Sequence, residues 1–135
     1  MVHLPWTTVD VPRGPALVMA SEFHLTQVRR TPSFLLDALR IRLQVMAADG
    51  SLGIALEARP LHRTFRTLSA WRDRAALDAF VRAEPHRTTM VRHRTGMAAS
   101  RFVFWTTDDL PVRWPDAVRR LADDDPDGPA SGAAP

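Results

Sequence analysis

Cysteine is absent from the sequence, which excludes a disulfide framework, a thiolate metal centre and a cysteine nucleophile. Tyrosine, lysine and asparagine are absent as well, so arginine supplies all 18 basic residues. Histidine and carboxylate side chains are then the only metal ligands of the usual kinds. The sequence also lacks the GxGxxG, Walker, GxSxG and HExxH motifs, so nothing in it indicates a nucleotide-phosphate site, a serine hydrolase or a zinc peptidase.

Long apolar runs are missing too. The longest, such as residues 16–20, are too short to cross a bilayer, and the N-terminus has no basic segment followed by an apolar one. We therefore expect a soluble, cytoplasmic protein with no membrane partner.

The charge is moderately basic and evenly spread. Four of the acids lie in the last thirteen residues, so residues 1–122 hold 18 arginines against 11 acids, a net charge of +7. A basic domain favours anionic partners, but nucleic-acid-binding proteins usually gather their arginines on one stripe. Because these arginines occur in every segment, we expect no nucleic acid partner, and a basic interaction protein is the third choice of function.

The 135 residues fit one domain with a single core. Residues 1–15 contain Pro5, Pro12 and Pro15 and are predicted to form an irregular arm. Residues 16–122 are predicted to form the folded domain. Residues 123–135 are acidic, rich in proline and glycine, and have no large apolar side chain, so we expect a disordered tail.

The periodicity of the sequence predicts the order of the elements. Residues 16–25 alternate as a strand does, and a helix is expected from Thr31-Pro32 to Asp49-Gly50. In that helix Leu35, Leu39, Leu43 and Met46 are predicted to be buried, with Asp37, Arg40 and Gln44 in solvent. Strands at 51–59 and 64–71 follow as a hairpin. Then come a helix from Asp73, another from Pro85 to about Met97, a strand at 102–105 and a short helix from Pro115.

This β-α-β-β-α-β order predicts an α+β, ferredoxin-like domain with a four-stranded antiparallel sheet and a C-terminal helix. Two helices cover one face of such a sheet. The other face is predicted to mix Phe65 and Trp71 with Glu22 and His24, which is too apolar for bulk water and too polar for a dry core. A second copy packed against it would give a homodimer, a dimeric α/β barrel.

One stretch of sequence resembles a known superfamily. The strand end at 67–73, the Ala-Leu-x-Ala-Phe helix at 75–81 and the pair Pro85-His86 are similar to the dimeric α/β-barrel superfamily that includes antibiotic-biosynthesis monooxygenases, and most of all to a bacterial branch of unknown function. The resemblance covers roughly residues 16–106. It implies a pocket in each subunit for an aromatic or polyketide-like small molecule, with oxidation by a monooxygenase-like enzyme as the expected activity.

The same resemblance leaves the cofactor open, between none and haem, because the superfamily contains both cofactor-independent oxygenases and haem enzymes. The residue sets of its haem-degrading and quinone-forming branches cannot be placed in full, since this chain has no asparagine and no tyrosine. The alternative function is a noncatalytic protein of the same fold that binds a small molecule or haem.

The strongest candidate site is a stripe in the predicted third helix. His86, Met90, His93 and Met97 are spaced four, three and four residues apart and would share one helix face. The two imidazoles would be about 10 Å apart along the axis, so they cannot share one metal ion, and we predict no metal site. His86 is predicted to be the catalytic base or a haem-iron ligand, and Met90 and His93 are predicted to contact the substrate. The alternative is that the methionines fill the core.

Several further residues are weaker candidates. His24 shares a strand face with Glu22, which could orient the imidazole for catalysis, although such a pair can simply be exposed. Arg94 could bind an acidic substrate. The large side chains expected to line the pocket, rather than only fill the core, are Phe65, Trp71 and Trp105.

Overall fold

The computed structural model describes residues 2–123. Five strands are present: β1 (Val2–Thr8), β2 (Ala16–Leu25), β3 (Ser51–Arg59), β4 (Thr64–Trp71) and β5 (Met97–Thr107). Four helices accompany them: α1 (Thr31–Ala47), α2 (Arg74–Arg82), α3 (His86–His93) and α4 (Trp114–Asp123). The strands form one antiparallel sheet in the order β1-β3-β4-β2-β5. The predicted α+β, ferredoxin-like fold is confirmed, with five strands in place of four.

The extra strand is β1, so the prediction of an irregular N-terminal arm is wrong for residues 2–8. This strand pairs with β3 from Val2 to Thr8, and the pairing shifts register between Leu4 and Thr7. Proline has no backbone N–H to donate, but an edge strand with a bulge accommodates it. Pro5 therefore sits where the strand can tolerate it.

The two sides of β2 define the two faces of the sheet. The helix face carries Met19, Ser21 and Phe23, and α1, α2 and α3 pack against it. The outer face carries the alternate residues of β2, which include Glu22 and His24. This alternation follows from the pleat of the strand, in which successive side chains point to opposite faces.

The prediction of which side of α1 is buried is wrong. The buried residues of this helix are Thr31, Phe34, Asp37 and Val45. The leucine-rich side instead faces solvent, with exposed fractions of 51% for Leu36, 37% for Leu39 and 64% for Leu43. The leucine pattern points to the wrong side because the buried side of α1 includes a charged residue, Asp37. This carboxylate can be buried because it pairs with Arg40 of its own helix and with Arg92 and His93 of α3.

The outer face is also composed differently from the prediction. Phe65 and Trp71 belong to the helix face, in the apolar clusters under the helices, and not beside Glu22 and His24. One half of the outer face is covered by the chain itself, through Trp6 of β1 together with Ala117 and Leu121 of α4. A second copy is therefore not needed to cover that half.

Two boundaries differ in the last third of the domain. Helix α3 ends at His93, and a short 3-10 turn leads to Met97, which begins β5 instead of ending a helix. Strand β5 is longer than the predicted 102–105 because it pairs with β2 along its length. The predicted disordered tail lies outside the described residues, apart from Asp123. Among residues 2–123, no helix is long and apolar enough to span a membrane.

Candidate functional site

A small cavity of about 70 Å³ lies between the helix face of the sheet and the helices. Its walls are mainly apolar and include Met19, Phe23, Ile54, Leu56, Phe65 and Phe102. Polar side chains also border it: Ser21, Asp37, Arg42, Thr67, Ser69, His86 and Thr89. A few polar groups within apolar walls are typical of a ligand site, although usual ligand pockets have roughly 300–1,000 Å³. This cavity therefore has room for a small ligand or for one end of a larger one.

His86 is the first residue of α3 and lines the cavity. Its Nδ1 lies 3.1 Å from the carbonyl oxygen of Val81, an acceptor, so Nδ1 carries the proton and donates. Burial lowers the pKa of His86 below its ordinary value of 6.5, and the bond to the Val81 carbonyl only partly opposes that. The lowered pKa favours the neutral imidazole, and among residues 2–123 its Nε2 has no hydrogen-bond partner.

One further contact holds the imidazole ring, and two hydrogen bonds of Gln44 fix the backbone around it. The ring packs on Phe80, with centroids 4.8 Å apart. The backbone N–H of His86 donates to Gln44 Oε1 at 2.9 Å, and Gln44 Nε2 donates to the Phe80 carbonyl at 3.2 Å. Gln44, which was predicted to be in solvent, thus ties α1 to the start of α3. These contacts fix the ring orientation that acid–base chemistry requires.

His93, the second imidazole of the predicted stripe, has a different role from His86. Its Nε2 donates to Asp37 Oδ2 at 2.7 Å, and its ring packs edge-on against Phe34. Asp37 also accepts from Arg92 at 2.9 Å and Arg40 at 3.0 Å. Burial alone would raise the pKa of Asp37, but these three partners together lower it. His93 does not line the cavity, so the predicted substrate contact is not found there.

Hydroxyl groups line the sheet side of the cavity. Ser21 and Thr67 are hydrogen-bonded to each other across β2 and β4. Ser69 accepts a hydrogen bond from the indole of Trp71 at 2.9 Å. Trp71 is fully buried, packs on Phe80 and does not itself border the cavity. Trp71 was predicted to contact a ligand. It lies behind Ser69 instead, where its indole donates a hydrogen bond to the Ser69 hydroxyl.

A wider groove of about 580 Å³ opens beside the cavity, between α3 and β5. Met90 and His86 line both the groove and the cavity, as do Met19, Phe23 and Phe102. Arg94, a predicted catalytic residue, and Met97 lie in the groove and not in the cavity. A ligand longer than the cavity would therefore extend past His86 and Met90 into the groove.

Two predicted residues lie on the outer face, away from the cavity. His24 Nε2 is 2.8 Å from Glu22 Oε1, so the predicted pairing of these two side chains is present. Glu22 also accepts from Arg66 at 2.6 Å, and Arg66 donates to Glu57 at 3.1 Å. Trp105 belongs to this face as well, beneath the guanidinium of Arg120. The structure thus places neither His24 nor Trp105 in the site that contains His86.

The sequence reasoning did not select Asp37, Arg42 or the three hydroxyls of the sheet. The sequence does contain a clue to these hydroxyls. Ser21 on β2 and Thr67 and Ser69 on β4 lie along their strands between large apolar residues of the same sheet face. Arg42 gives no signal of its own among 18 arginines. Within residues 2–123, no three metal-binding side chains come close enough together to hold a metal ion.

Comparison with solved structures shows which proteins share this fold. The chain is similar to a candidate monooxygenase from Fusobacterium nucleatum, with a TM-score of 0.67 and 9% identity over 76% of this chain and 48% of that one. It is similar to a candidate antibiotic biosynthesis monooxygenase from Nitrosomonas europaea, with a TM-score of 0.64 and 14% identity over 77% and 100%. A third is SnoaB, a cofactor-independent oxygenase from Streptomyces nogalater, with a TM-score of 0.58 and 14% identity over 72% and 98%.

These comparisons define the class of fold. The chain has the ferredoxin-like fold of the antibiotic-biosynthesis-monooxygenase-like proteins, so the resemblance seen in the sequence is confirmed at that level. It spans about half the length of the Fusobacterium protein and nearly all of the other two. No protein-family profile and no curated protein sequence matches the chain.

Proposed function

We propose that this protein is a monooxygenase-like enzyme that oxidises a phenolic, aromatic small molecule in the cavity, with His86 as the catalytic base. The observation that carries the proposal is the state of that imidazole. Burial lowers its pKa, which favours the neutral form, its Nδ1 is held by the Val81 carbonyl, and it borders an apolar cavity. The names of the structural neighbours, which include a cofactor-independent oxygenase, support the reaction class.

In the proposed reaction, His86 Nε2 takes the proton of a phenol that enters the cavity and extends into the adjoining groove. The phenolate is rich in electrons and reacts with molecular oxygen at a ring carbon. One oxygen atom stays on that carbon as a carbonyl and the other leaves as water, while the phenol C–O also becomes a carbonyl. The substrate supplies all four electrons, so the step needs no other reductant.

The apolar walls favour this chemistry in two ways. They exclude water, which strengthens the electrostatic interactions of the proton transfer. The hydroxyls of Ser21, Thr67 and Ser69 lie on the sheet side of the cavity, and Ser69 and one member of the Ser21–Thr67 pair can donate to a developing negative oxygen. Apolar rings such as Phe65 and Phe102 offer a surface on which an aromatic substrate packs.

The test is oxygen consumption with 1-naphthol as the probe. We expect one oxygen molecule consumed per naphthol, and a loss of about 100- to 10,000-fold in kcat/KM for His86→Gln, the usual contribution of a general base. The matched control is His62→Gln, since His62 is exposed in the turn between β3 and β4. This control should keep the wild-type rate.

A His86→Gln variant that retains the wild-type rate would contradict the assignment of the base. Binding of naphthol is measured by the quenching of tryptophan fluorescence. Binding without oxygen consumption would favour the alternative, a noncatalytic binding protein. Circular dichroism of each variant separates a loss of function from a loss of folding.

Haem is the second candidate ligand, and the groove is the feature that favours it. The cavity of about 70 Å³ is too small for a porphyrin, whereas the groove is wider and has His86 at its border. Arg87 and Arg94 line the groove and could pair with haem propionates. When bound, haem would supply redox chemistry at its iron. A Soret band in titrations with haem, lost in His86→Ala, would support this candidate.

A homodimer is proposed through the uncovered half of the outer face. That half carries Glu22, Glu57 and Arg66, which pair with one another and so can be covered without unpaired charge. The superfamily resemblance supports pairing through this face. Light scattering coupled to size exclusion should give twice the chain mass, and a single-chain mass would contradict the dimer.

A further inference from the structure

Arg42 is a charged side chain of α1 that lines the apolar cavity. Its Nη2 donates to Thr7 Oγ1 of β1 at 2.8 Å. Its Nε is buried and has no hydrogen-bond partner in the part of the chain that the structure describes. Buried N–H groups are normally paired, so a cavity-lining arginine whose Nε has no acceptor among residues 2–123 is a candidate for binding a ligand.

No carboxylate of the described residues neutralises this guanidinium. Asp37 is the one acidic side chain that lines the same cavity among residues 2–123, and both its oxygens are already taken by His93, Arg92 and Arg40. Arg42 forms no ion pair within those residues. The cavity therefore has a cationic group whose charge is not balanced locally.

We propose that Arg42 is a specificity-determining residue that binds an anionic oxygen of the ligand, of the kind that a carboxylate presents. The preferred substrate of the site is then a phenol that also carries an anionic group such as a carboxylate. Thr7 holds Nη2, and the guanidinium forms no ion pair within residues 2–123, so its charge is available to a ligand anion. This inference rests on the proposed function only in placing the substrate in the same cavity.

The experiment compares benzoate with benzamide, which have nearly the same shape and differ in charge. Dissociation constants are measured by NMR titration of wild-type protein and of Arg42→Gln. We expect wild type to bind benzoate more tightly than benzamide. Arg42→Gln should weaken benzoate about ten- to hundredfold, the usual range for a hydrogen bond to a charged group, and leave benzamide unchanged.

Arg82→Gln is the matched control, because Arg82 is an exposed arginine near the end of α2 and outside the cavity. It removes the same charge and should leave benzoate binding unchanged. If Arg42→Gln does not fold, Thr7→Val replaces it in the assay. This variant removes the anchor of the guanidinium and should weaken benzoate several-fold.

Equal benzoate affinity in wild type and Arg42→Gln would overturn the inference, and so would wild-type protein that binds no benzoate. His86→Gln separates this result from the proposed function. That variant should lose oxygen consumption yet keep its benzoate affinity. If His86 proves dispensable for turnover while benzoate binding still depends on Arg42, the proposed reaction fails and the anion site stands.

Discussion

On the outer face of the sheet, Arg66 donates to both Glu22 and Glu57, and His24 donates to Glu22. On the helix face, Asp37 is satisfied in the same way, but the two other titratable groups at the cavity are not. His86 uses only Nδ1, and Arg42 keeps a buried Nε without an acceptor among the described residues.

This difference separates polar groups that stabilise the fold from polar groups that are available to a ligand. Charged side chains that satisfy one another leave nothing for a substrate to bind. A neutral imidazole and an unpaired guanidinium in apolar walls do leave binding capacity, at a cost in stability that a purely structural cluster would avoid. We therefore propose that the helix face is the functional face of the sheet.

Among the substitutions that test this difference between the two faces, Asp37→Ala is expected to have the largest effect on the free energy of unfolding. Asp37→Ala should lower the free energy of unfolding by about 3 kcal/mol, because it leaves buried His93 without its acceptor. Arg40 and Arg92 add less, since both are more than half exposed and can turn to solvent. Urea unfolding measures the change.

The control for Asp37 is Asp78→Ala in α2, which breaks an exposed pair with Arg74. It should change the free energy of unfolding by less than about 0.5 kcal/mol. If the two variants are equally stable, Asp37 is not the structural acid of the helix face.

The next effect concerns the outer face, where Trp6 lies directly over Gly53. A Cβ built on Gly53 would be 2.3 Å from Cζ2 of Trp6. Gly53→Ala should therefore cost about 2 kcal/mol through displacement of the indole. Gly14→Ala is the matched control, since nothing lies within 4 Å of the corresponding Cβ. Equal unfolding midpoints for both would show that Trp6 does not cover this half of the sheet.

A smaller effect tests which side of α1 faces the cavity. Val45→Ala should cost about 1.5 kcal/mol because Val45 is 2% exposed. Leu43→Ala should cost less than about 0.5 kcal/mol, since Leu43 is 64% exposed. A larger loss of stability for Leu43→Ala than for Val45→Ala would mean that Leu43 is buried, either in the core, as the sequence predicted, or against a partner.

The sequence predicted the parts of the fold that depend on local periodicity. The alternation of residues 16–25 and 64–71 located β2 and β4 correctly, and Asp73 caps α2 by accepting from the Ala76 N–H. The prediction of α1 failed because the partners of Asp37 are Arg92 and His93, about 55 residues away in sequence. No local pattern shows that a buried acid is neutralised from another helix.

The same reason explains what could be predicted of the candidate site. His86 was identified because a resemblance and a helical spacing both selected it. The spacing alone would also have selected His93, which the fold assigns to Asp37. Arg42 becomes a candidate only because it lines a cavity and because no acid among the described residues pairs with it. Both features depend on the tertiary structure and cannot be seen in the sequence.

The lowered pKa of His86 has a definite sign in its effect on stability. Because the unfolded chain binds this proton near pH 6.5 and the folded chain only at lower pH, the free energy of unfolding falls as the pH drops below 6.5. In the proposed enzyme, the same lowered pKa favours the unprotonated form of His86 at neutral pH. Catalysis should then decline only on the acid side of 6.5.

The most direct test is an NMR titration of protein with nitrogen-15-labelled histidines. The account predicts that one imidazole, identified by its loss in His86→Gln, has its proton on Nδ1 and a pKa below 6.5, and that its Nε2 signal shifts when 1-naphthol is added. An imidazole with an ordinary or raised pKa, unaffected by naphthol, would contradict the claim that His86 is a neutral base facing a ligand cavity.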